Sequence, residues 1–475
     1  MANIFRRFPK TFWVANTIEL FERWAWYGFF ILFANYLTGS FDDGGLEFSQ
    51  EQKGIIMGVG TGILYFLPVI TGSIADKYGY KKVLMLAFAI YTSAFIMFPL
   101  FDTFTGVFLM YLYLALGAAL FKPVISATIA KTTDESTASI GFGIFYMMVN
   151  IGAYFGPMVT LLFKHSSYSM VFYISAGIIA LNFFMLFFYK EPDREANSDT
   201  LGASIMKIFN NIVMVFKDFK FVLFLLIVAG FWTMYNQLFF TLPVFITQWV
   251  DTSMMYEFFQ NHMPFISENY GIAATGQMES EFVVNFDALF IIAFQIIVST
   301  IVMKWKPLRT MITGFLVCAI GMALTLFTQN VVFTLVAIYV FAIGEMAGSP
   351  KITEYIGRIA PADKKALYMG YSFIPVFFGN VFAGIISGNV YGSMSDKTVF
   401  VKQEIAERGI TLADNLSKNE IFAATAEKMN MTTIELTKFL WDKYHPSQIW
   451  YVILCIGLAA VFALALYDRF ILKSK

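Results

Sequence analysis

Long apolar runs recur along the whole chain, and they constrain its fold more than any other feature of the sequence. A helix needs about 20 consecutive, mostly apolar residues to cross the roughly 30 Å hydrocarbon core of a bilayer. Twelve such runs are present, and we number them span 1 to span 12. Their predicted limits are 12–38, 50–74, 82–101, 105–130, 139–163, 168–189, 219–249, 282–303, 309–328, 331–356, 366–392 and 447–470. The sequence therefore predicts an all-α membrane protein with twelve transmembrane helices.

The composition supports this class and excludes several others. Hydrophobic residues make up 58% and charged residues 14% of the 475 positions, whereas about 25% of residues are charged in an ordinary soluble protein. Basic and acidic residues number 33 each, so no net charge would attract nucleic acid. No metal-binding, nucleophile or nucleotide-binding pattern is present. We therefore expect no enzyme activity, no cofactor, no metal and no ATP-driven pump.

The glycine-rich stretch "GVGTG" at residues 58–62 lies inside span 2 rather than after a strand. A phosphate-binding loop needs a strand before it and a helix after it. We therefore expect Gly58, Gly60 and Gly62 to allow close approach of a neighbouring helix.

Basic residues in the short loops indicate the orientation, because Lys and Arg are retained on the cytoplasmic side. Basic loops alternate with loops nearly free of Lys and Arg. The basic positions are Arg6, Arg7, Lys10, Lys77, Lys81, Lys190, Arg194, "KWKPLR" at 304–309, Lys364 and Lys365. We therefore expect both termini in the cytoplasm and the chain in the plasma membrane, the inner membrane if the source is bacterial. Span 1 is expected to be retained rather than cleaved as a signal peptide.

The spans divide into two groups of six. Residues 1–189 form a predicted N-terminal half, residues 190–218 a cytoplasmic linker, and residues 219–475 a C-terminal half. The C-terminal half carries two predicted outward inserts, at about 250–281 and 393–446. The second insert contains basic residues, but long inserts do not follow the charge rule. Its sequence pattern assigns it no function.

Three charged residues lie close together in span 1, in "ELFERWAWYG". A charge at the centre of a membrane helix costs about 2.5 to 3.5 kcal/mol unless it pairs or faces water. Glu19, Glu22 and Arg23 are three and four residues apart and so lie on one helix face. We expect this cluster to have a function, to face a water-filled cavity and to exchange ion-pair partners as the helices move. The alternative is a buried ion network that only holds helices together.

Further charges lie within other spans. Lys122 lies in span 4 beside Pro123, whose ring frees a backbone carbonyl and permits a kink. Asp287 lies in span 8, or at its rim if that helix begins later, and Glu345 lies in span 10. All three histidines fall in predicted outward loops. Any proton carrier within the membrane must therefore be a carboxylate.

One loop resembles a motif of the major facilitator superfamily. "GSIADKYGYKK", Gly72 to Lys82, lies between spans 2 and 3. The resemblance implies a fold of two six-helix halves, in which Asp76 and the basic residues after it bridge helix ends.

Four further stretches resemble the proton-dependent oligopeptide transporter family within that superfamily. They are "ELFERWAWYG" in span 1, "FGIFYMMVNIGAYFGP" at 142–157, "GFWTMYNQ" at 230–237, and "GEMAGSP" at 344–350, which is followed by "AP" at 360–361. Together and in this order, they identify the chain as a divergent member of that family. The resemblance implies proton-coupled import of small peptides.

The resemblance also implies roles for individual residues. Glu19, Glu22, Arg23 and Lys122 would couple transport to protons, the only coupling ion expected. Residues implied to line the central cavity are Tyr27, Tyr65, Asn150 and Trp232. Glu345 would receive the amino terminus of a peptide, because an ammonium group and a desolvated carboxylate form a charge-assisted hydrogen bond. Residues with implied gating or structural roles are Asp76, Pro123 and Pro350.

The chain departs from the family pattern at four pocket positions. A cationic residue of span 1 is replaced by Phe30, and an acidic residue of span 7 by Asn236. Asp287 stands in place of an asparagine, and Ser372 in place of an aromatic residue. We therefore count Asn236, Asp287 and Ser372 among the candidate substrate-binding residues. Two hypotheses follow: the ligand is end-modified, larger or not a peptide, and Asp287 replaces the missing acid as partner of Lys122.

The function predicted from the sequence is proton-coupled import of di- or tripeptides, or of peptide-like solutes, by alternating access. The expected partners are this substrate, protons and the lipid bilayer. One alternative is a transporter of another small organic or anionic solute, with or without proton coupling. A second is a non-transporting membrane anchor or receptor whose insert at 393–446 binds a partner. Deleting that insert distinguishes the anchor from a transporter: transport should survive the deletion in a transporter, whereas partner binding should vanish in an anchor.

Overall fold

The computed structural model describes residues 7–134, 137–164, 167–193, 201–327, 329–360 and 365–472. The N-terminal half contains six spans. They are Lys10–Thr38 (span 1), Gln50–Phe66 with Pro68–Tyr78 (span 2), Tyr80–Met97 with the 3-10 turn Phe98–Leu100 (span 3), Phe104–Lys131 (span 4), Ala138–Lys164 (span 5) and Tyr168–Phe188 (span 6). Of the residues named above, Arg6, Arg194, Pro361 and Lys364 lie outside the described ranges.

The C-terminal half contains the other six spans, several of them broken. Their segments are Phe219–Tyr235, Gln237–Phe240 and Leu242–Trp249 (span 7); Ser280–Val284 and Phe286–Val302 (span 8); Pro307–Ala323 with Leu324–Phe327 (span 9); Val331–Ile359 (span 10); Lys365–Gly370, Tyr371–Phe373, Ile374–Ile385, the π-helical Ile386–Val390 and Tyr391–Met394 (span 11); and Pro446–Gln448, Ile449–Leu466 and Tyr467–Leu472 (span 12).

Length and hydropathy single out most of these helices as membrane-spanning. In the described part of the chain, nine helices are long and apolar enough to cross a bilayer, and the two segments of span 2, bent by 42°, form a tenth. Span 9 is apolar but shorter, and span 1 has 29 residues and carries the Glu19, Glu22 and Arg23 cluster. The predicted all-α membrane fold is confirmed.

Proline and short irregular segments account for the breaks. Span 2 bends before Pro68, and the last segment of span 7 begins with Pro243 at its second residue. A proline cannot donate the backbone hydrogen bond that would continue the preceding turn. By contrast, spans 4 and 10 continue through Pro123 and Pro350.

The connecting segments contain short helices and one hairpin. The segment after span 7 holds helices Ser253–His262 and Pro264–Tyr270, followed by antiparallel strands β1 (Gly271–Ile272) and β2 (Gln277–Met278), in which Gly271 pairs with Met278. The segment after span 11 holds helices Lys397–Arg408, Lys418–Lys428 and Thr433–Tyr444. Ser417 and Thr432 start the last two with capping boxes, which satisfy free backbone donors. A 3-10 turn, Phe41–Asp43, follows span 1, and helix Leu201–Phe216 lies in the linker.

The two ends of the bundle are defined by these segments. Consecutive spans run in opposite directions, so residues 39–49, 250–279 and 395–445 lie at one end, which we call the insert end. The described parts of the linker, residues 190–193 and 201–218, lie at the other, which we call the linker end. At the linker end, Thr11 donates to the carbonyl oxygen of Lys190 at 2.9 Å, and the backbone amide of Tyr80 donates to Glu191 at 2.8 Å.

Spans 2 and 11 bring the two halves into close contact through glycine. A Cβ atom on Gly58 would lie 2.8 Å from the Cα of Gly384, and one on Gly54 would lie 2.3 Å from the carbonyl oxygen of Gly384. A Cβ atom on Gly60 would lie 2.2 Å from the ring of Tyr111. Side chains at these positions would push the helices apart. The predicted packing role of the span 2 glycines is confirmed.

Candidate functional site

A cavity of about 310 Å³ lies between the two halves. Its walls come from spans 1, 2, 7, 10 and 11. The lining residues are Trp26, Tyr27, Phe30, Thr61, Tyr65, Trp232, Tyr235, Asn236, Phe239, Ser349, Ile352, Thr353, Ser372, Phe373, Val376 and Asn380. Five residues predicted to contact substrate are among them: Tyr27, Tyr65, Trp232, Asn236 and Ser372.

The cavity extends from the middle of the bundle toward the linker end. Ser349 and Thr353 lie in the part of span 10 that approaches Ile359, its last residue at the linker end. Ser372 lies near the start of span 11, which is also at the linker end.

The cavity lining is aromatic and uncharged. Half of its residues are Phe, Tyr or Trp, and no acidic or basic side chain lines it among the described residues. Phe30, where the family resemblance implies a cation, packs on Trp26 and Phe239 with ring centroids 5.1 and 5.7 Å away. The buried Nε1 of Trp232 and Nδ2 of Asn236 have no hydrogen-bond partner in the described part of the chain. These two donors are free to bind a solute in the cavity.

Four residues of span 7 line the cavity from one helix face, and only two of them are predicted from the sequence. Trp232, Tyr235, Asn236 and Phe239 all line the cavity, and their spacing of three, four and seven residues marks one face of a helix. Only Trp232 and Asn236 are predicted from the family resemblance. The helical period extends the same face to Tyr235 and Phe239.

The charged cluster of span 1 is buried within the N-terminal half. Arg23 Nε donates to Glu22 Oε2 at 2.5 Å and lies 3.3 Å from Glu19 Oε1, and Tyr91 donates to Glu22 Oε1 at 2.7 Å. Glu19, Glu22 and Arg23 are 6%, 0% and 5% exposed. The expectation that they face a water-filled cavity is therefore wrong for this conformation.

The covering of this cluster explains its burial. Span 3 covers the cluster with Tyr91. Span 5 can approach it closely because Gly152 has no side chain: a Cβ atom there would lie only 2.7 Å from the Cβ of Arg23. Tyr27 lies between the cluster and the cavity, with its ring centroid 5.9 Å from the Arg23 guanidinium carbon.

Lys122 and Asp287 do not form the predicted pair. The Lys122 ammonium lies 4.6 Å from the ring centroid of Tyr65, and its charge acts on Glu19. Asp287 is 6% exposed, and its Oδ1 has no hydrogen-bond partner among the described residues. The ionisable side chain that influences Asp287 is another acid, Glu345. The hypothesis that Asp287 replaces a missing acid as partner of Lys122 therefore lacks support in this conformation.

Glu345 and Asn150 also lie outside the cavity lining. Glu345 Oε1 accepts a hydrogen bond from Tyr235 at 2.8 Å, and its buried Oε2 has no partner in the described ranges. Glu345 is therefore linked to the cavity through Tyr235, which lines it, and is not itself part of the lining. Asn150 donates to the backbone carbonyl of Tyr146 at 2.8 Å. The predicted lining role of Asn150 and direct substrate contact by Glu345 therefore do not hold in this conformation.

Asp76, a predicted gating residue, lies at the linker end. Its Oδ1 accepts a hydrogen bond from Tyr80 at 3.2 Å, and this contact joins the end of span 2 to the start of span 3. This contact agrees with the role implied for Asp76, whereas bridging by the basic residues after it stays a prediction.

Polar contacts at the insert end join the two halves. Lys164 of span 5 lies 2.7 Å from Glu279 and 3.3 Å from Glu281 at the start of span 8. Asn35 of span 1 donates to Ser280 at 2.7 Å and to Glu281 at 2.9 Å. These contacts were not predicted, because the residues are far apart in the sequence and match none of the family motifs.

A second group of contacts closes the same end beside spans 2 and 7. Lys53 is buried and donates to the backbone carbonyl of Phe240 at 2.9 Å, and Gln50 donates to Asp396 at 3.5 Å. The halves are therefore joined at the insert end, while the cavity lies on the linker-end side of these contacts.

Comparison with known proteins identifies the family. The sequence model of the Major Facilitator Superfamily matches residues 16–383. The chain belongs to the major facilitator superfamily. It is a multi-pass membrane transporter and not an enzyme.

Relatives of this superfamily member agree with the resemblance stated above. It is 23% identical over 327 residues to the uncharacterized MFS-type transporter YqjV of Bacillus subtilis (strain 168), a match that covers 68% of this chain and 73% of YqjV. It is 29% identical over 154 residues to the peptide transporter YePEPT of Yersinia enterocolitica subsp. palearctica serotype O:3 (strain YE-P4), covering 30% and 29% of the two chains. Its fold is similar to the crystal structure of a POT family transporter in complex with 5-aminolevulinic acid, with a TM-score of 0.69, 16% identity and coverage of 98% and 99%.

Proposed function

We propose that this protein imports small peptides or peptide-like solutes by alternating access, coupled to protons. The observation that carries the proposal is the cavity of about 310 Å³ between the two halves, with polar contacts across one end. A central site between two halves that rock against each other is the arrangement expected of alternating access. The relatives named as peptide transporters support the choice of substrate.

The cavity chemistry favours solutes without free charges at their ends. A free dipeptide carries an ammonium and a carboxylate group, and each loses hydration on entering a site without an opposite charge. The cavity instead offers the donors of Trp232 and Asn236, the hydroxyl groups of its Ser, Thr and Tyr residues, and aromatic faces. Peptide carbonyl groups and apolar side chains fit these partners. We therefore place end-blocked dipeptides and similar uncharged solutes ahead of free dipeptides.

Two groups of buried carboxyls are available for proton coupling. Glu19 and Glu22 share Arg23, and a change of partner within this cluster can take up or release a proton. Asp287 and Glu345 have no basic partner among the described residues. A buried carboxylate without a cation is costly, and a bound proton removes its charge. Both groups therefore belong to the proposed coupling machinery, with Lys122 acting on the first through Glu19.

The proposed orientation places the insert end outside and the linker end in the cytoplasm. The basic short loops support it, because Lys77, Lys81 and Lys190 all lie at the linker end. In this orientation the structure corresponds to a state that is closed toward the outside.

Uptake into proteoliposomes tests the proposal. We would compare a labelled dipeptide with its N-acetylated amide under an inward proton gradient. We expect uptake that depends on the gradient, with a lower KM for the N-acetylated amide than for the free dipeptide. Trp232→Phe, which removes the free Nε1 donor and keeps an aromatic ring, should raise KM roughly tenfold, the effect of one lost hydrogen bond.

Trp305→Phe is the matched control, because Trp305 is exposed and does not line the cavity. Equal uptake with and without the gradient would contradict the proposed proton coupling. No uptake of either compound by folded protein would remove the peptide assignment.

One alternative substrate class keeps specific support. The uncharged aromatic lining also suits a neutral organic solute that is not a peptide. Failure of both peptides to enter, with uptake of such a solute, would establish this alternative. The lack of charge in the lining speaks against an anionic solute, and membership of a transporter superfamily speaks against a passive anchor.

A further inference from the structure

The insert at the insert end reaches from the C-terminal half to the N-terminal half. Helix Lys418–Lys428 begins directly over the turn that follows span 1, at residues 38–48. The Lys418 ammonium group donates to the backbone carbonyl of Thr38 at 2.8 Å and to that of Phe48 at 3.2 Å. One lysine therefore bridges the beginning and the end of this turn.

The acidic side chains of the same turn meet the first residues of this helix. The backbone amide of Lys418 donates to Glu47 at 2.8 Å, Asn419 donates to Asp43 at 2.9 Å, and the Ser417 hydroxyl donates to Asp42. Negative charges are favoured at a helix N-terminus, where free amide groups carry partial positive charge. The contact is therefore complementary in charge as well as in hydrogen bonding.

The insert is firmly attached to its own half at its beginning. Trp249 of span 7 donates through Nε1 to the carbonyl oxygen of Ser395 at 2.8 Å, and Gln248 donates to Asp396 at 2.8 Å. The ammonium group of Lys397 lies 5.0 Å from the ring centroids of both Trp249 and Phe422. These contacts connect helix Lys418–Lys428, through Phe422, to span 7.

A polar network also joins the other two helices of the insert. Glu404 is fully buried and accepts from Lys443 at 2.5 Å, from Tyr444 at 2.7 Å and from Arg408 at 2.9 Å. The insert is therefore a packed unit rather than a loose loop, and it can transmit force between the halves.

We propose that the insert, residues 395–445, is a clamp that holds the insert end closed. This inference rests on the proposed alternating access, because the two halves must separate at the insert end when the cavity opens there. Helix Lys418–Lys428 must then release the turn at 38–48 in every cycle. The strength of this contact sets the balance between the state closed at the insert end and the state open there.

A distance measurement tests the clamp without any substrate. Spin labels are placed on Asp102→Cys, in the turn after span 3, and on Met263→Cys, in the segment after span 7, with the exposed Cys455 replaced by serine. Both label sites lie at the insert end, one on each half. Lys418→Ala should raise the ratio of long to short label distances roughly tenfold, since it removes two bonds from a charged donor.

The matched control is Lys428→Ala, which removes an exposed lysine from the other end of the same helix. It should leave the distance distribution of the parent protein unchanged. Asn419→Ala serves as a second, milder variant if Lys418→Ala fails to fold. Unchanged distances in both Lys418→Ala and Asn419→Ala would overturn the clamp.

A reversible crosslink tests the same contact in the opposite direction. In a chain carrying Asp43→Cys and Asn419→Cys, oxidation should remove the long distances, and a reducing agent should restore them. Persistence of the long distances after complete crosslinking would overturn the clamp. A protein that shows these distance changes and yet transports no peptide would remove the proposed substrate and leave the clamp standing.

Discussion

The two halves of the transporter bury their charges in different ways. In the N-terminal half, Glu19 and Glu22 share Arg23, and Glu22 also accepts a hydrogen bond from Tyr91. In the C-terminal half, Asp287 and Glu345 are two acids without a base beside them in the described ranges, and each has one carboxyl oxygen with no partner. One half therefore buries a paired cluster, and the other buries unpaired acids.

This difference predicts opposite responses to the loss of one acid. Removing a member of a buried ion pair leaves its partner charged and unpaired, which is strongly destabilising. Asp287 and Glu345 have no cationic partner, so removing one of them breaks no ion pair and leaves no cation unpaired. The first cluster should therefore be sensitive in folding, and the second in transport alone.

The largest expected effect is that of Glu22→Gln. Glu22 is fully buried and accepts from both Arg23 and Tyr91. Its neutralisation should lower the free energy of unfolding by about 3 kcal/mol, the low end for a broken buried pair because Glu19 remains. Chemical unfolding of the purified protein in detergent measures this change.

Glu257→Gln is the control for Glu22→Gln, since Glu257 is exposed in the segment after span 7. It should leave the free energy of unfolding within about 0.5 kcal/mol of the parent. Equal stabilities of the two variants would show that the span 1 cluster contributes no structural pairing.

Tyr91→Phe should have a smaller effect on the same cluster. It removes the 2.7 Å hydrogen bond to Glu22 but keeps the ring and both ion pairs. The expected loss is about 2 kcal/mol, as for other hydrogen bonds to a charged group. The unfolding assay used for Glu22→Gln measures it, and a loss larger than that of Glu22→Gln would contradict the assignment of the pair as the main contact.

Asp287→Asn should act in the opposite direction. The variant removes one of two unpaired acids, so the free energy of unfolding should stay the same or rise by about 1 kcal/mol. Proton-driven uptake should be lost, whereas exchange of labelled for unlabelled solute at equal pH should remain. A stability loss as large as that of Glu22→Gln would mean that Asp287 has a basic partner after all.

The positions of the spans were predictable because they depend on residues adjacent in sequence. Span 10, for example, is predicted at 331–356 and observed at Val331–Ile359. The cavity positions Tyr27 and Trp232 were predictable from family motifs for the same reason, since each motif is a short continuous stretch.

The rotation of each helix about its own axis was not predictable. Asp287, Glu345 and Asn150 lie in the expected spans, but packing of spans 5, 8 and 10 turns them away from the cavity lining. The clamp was also not predictable, because Lys418 and Thr38 are 380 residues apart. Neither period nor motif relates residues at such a separation.

The insert provides a third arrangement, a half-buried base held by carbonyl groups, and it should give the smallest effect. Burial is the main cause that lowers the pKa of Lys418 below its usual 10.5; Asp396 and Glu47 oppose this shift, and Lys402 adds to it. When helix Lys418–Lys428 releases the turn at 38–48, Lys418 enters water and regains its usual pKa. The released state therefore binds more protons than the clamped state at pH values between the lowered pKa and 10.5. Raising the pH within that window should favour the clamped state and lower the fraction of long label distances. Below the window, a change of pH should have little effect. Lys418→Met should abolish this dependence and Lys428→Met should keep it; the same slope in both variants would assign the pH response to another group.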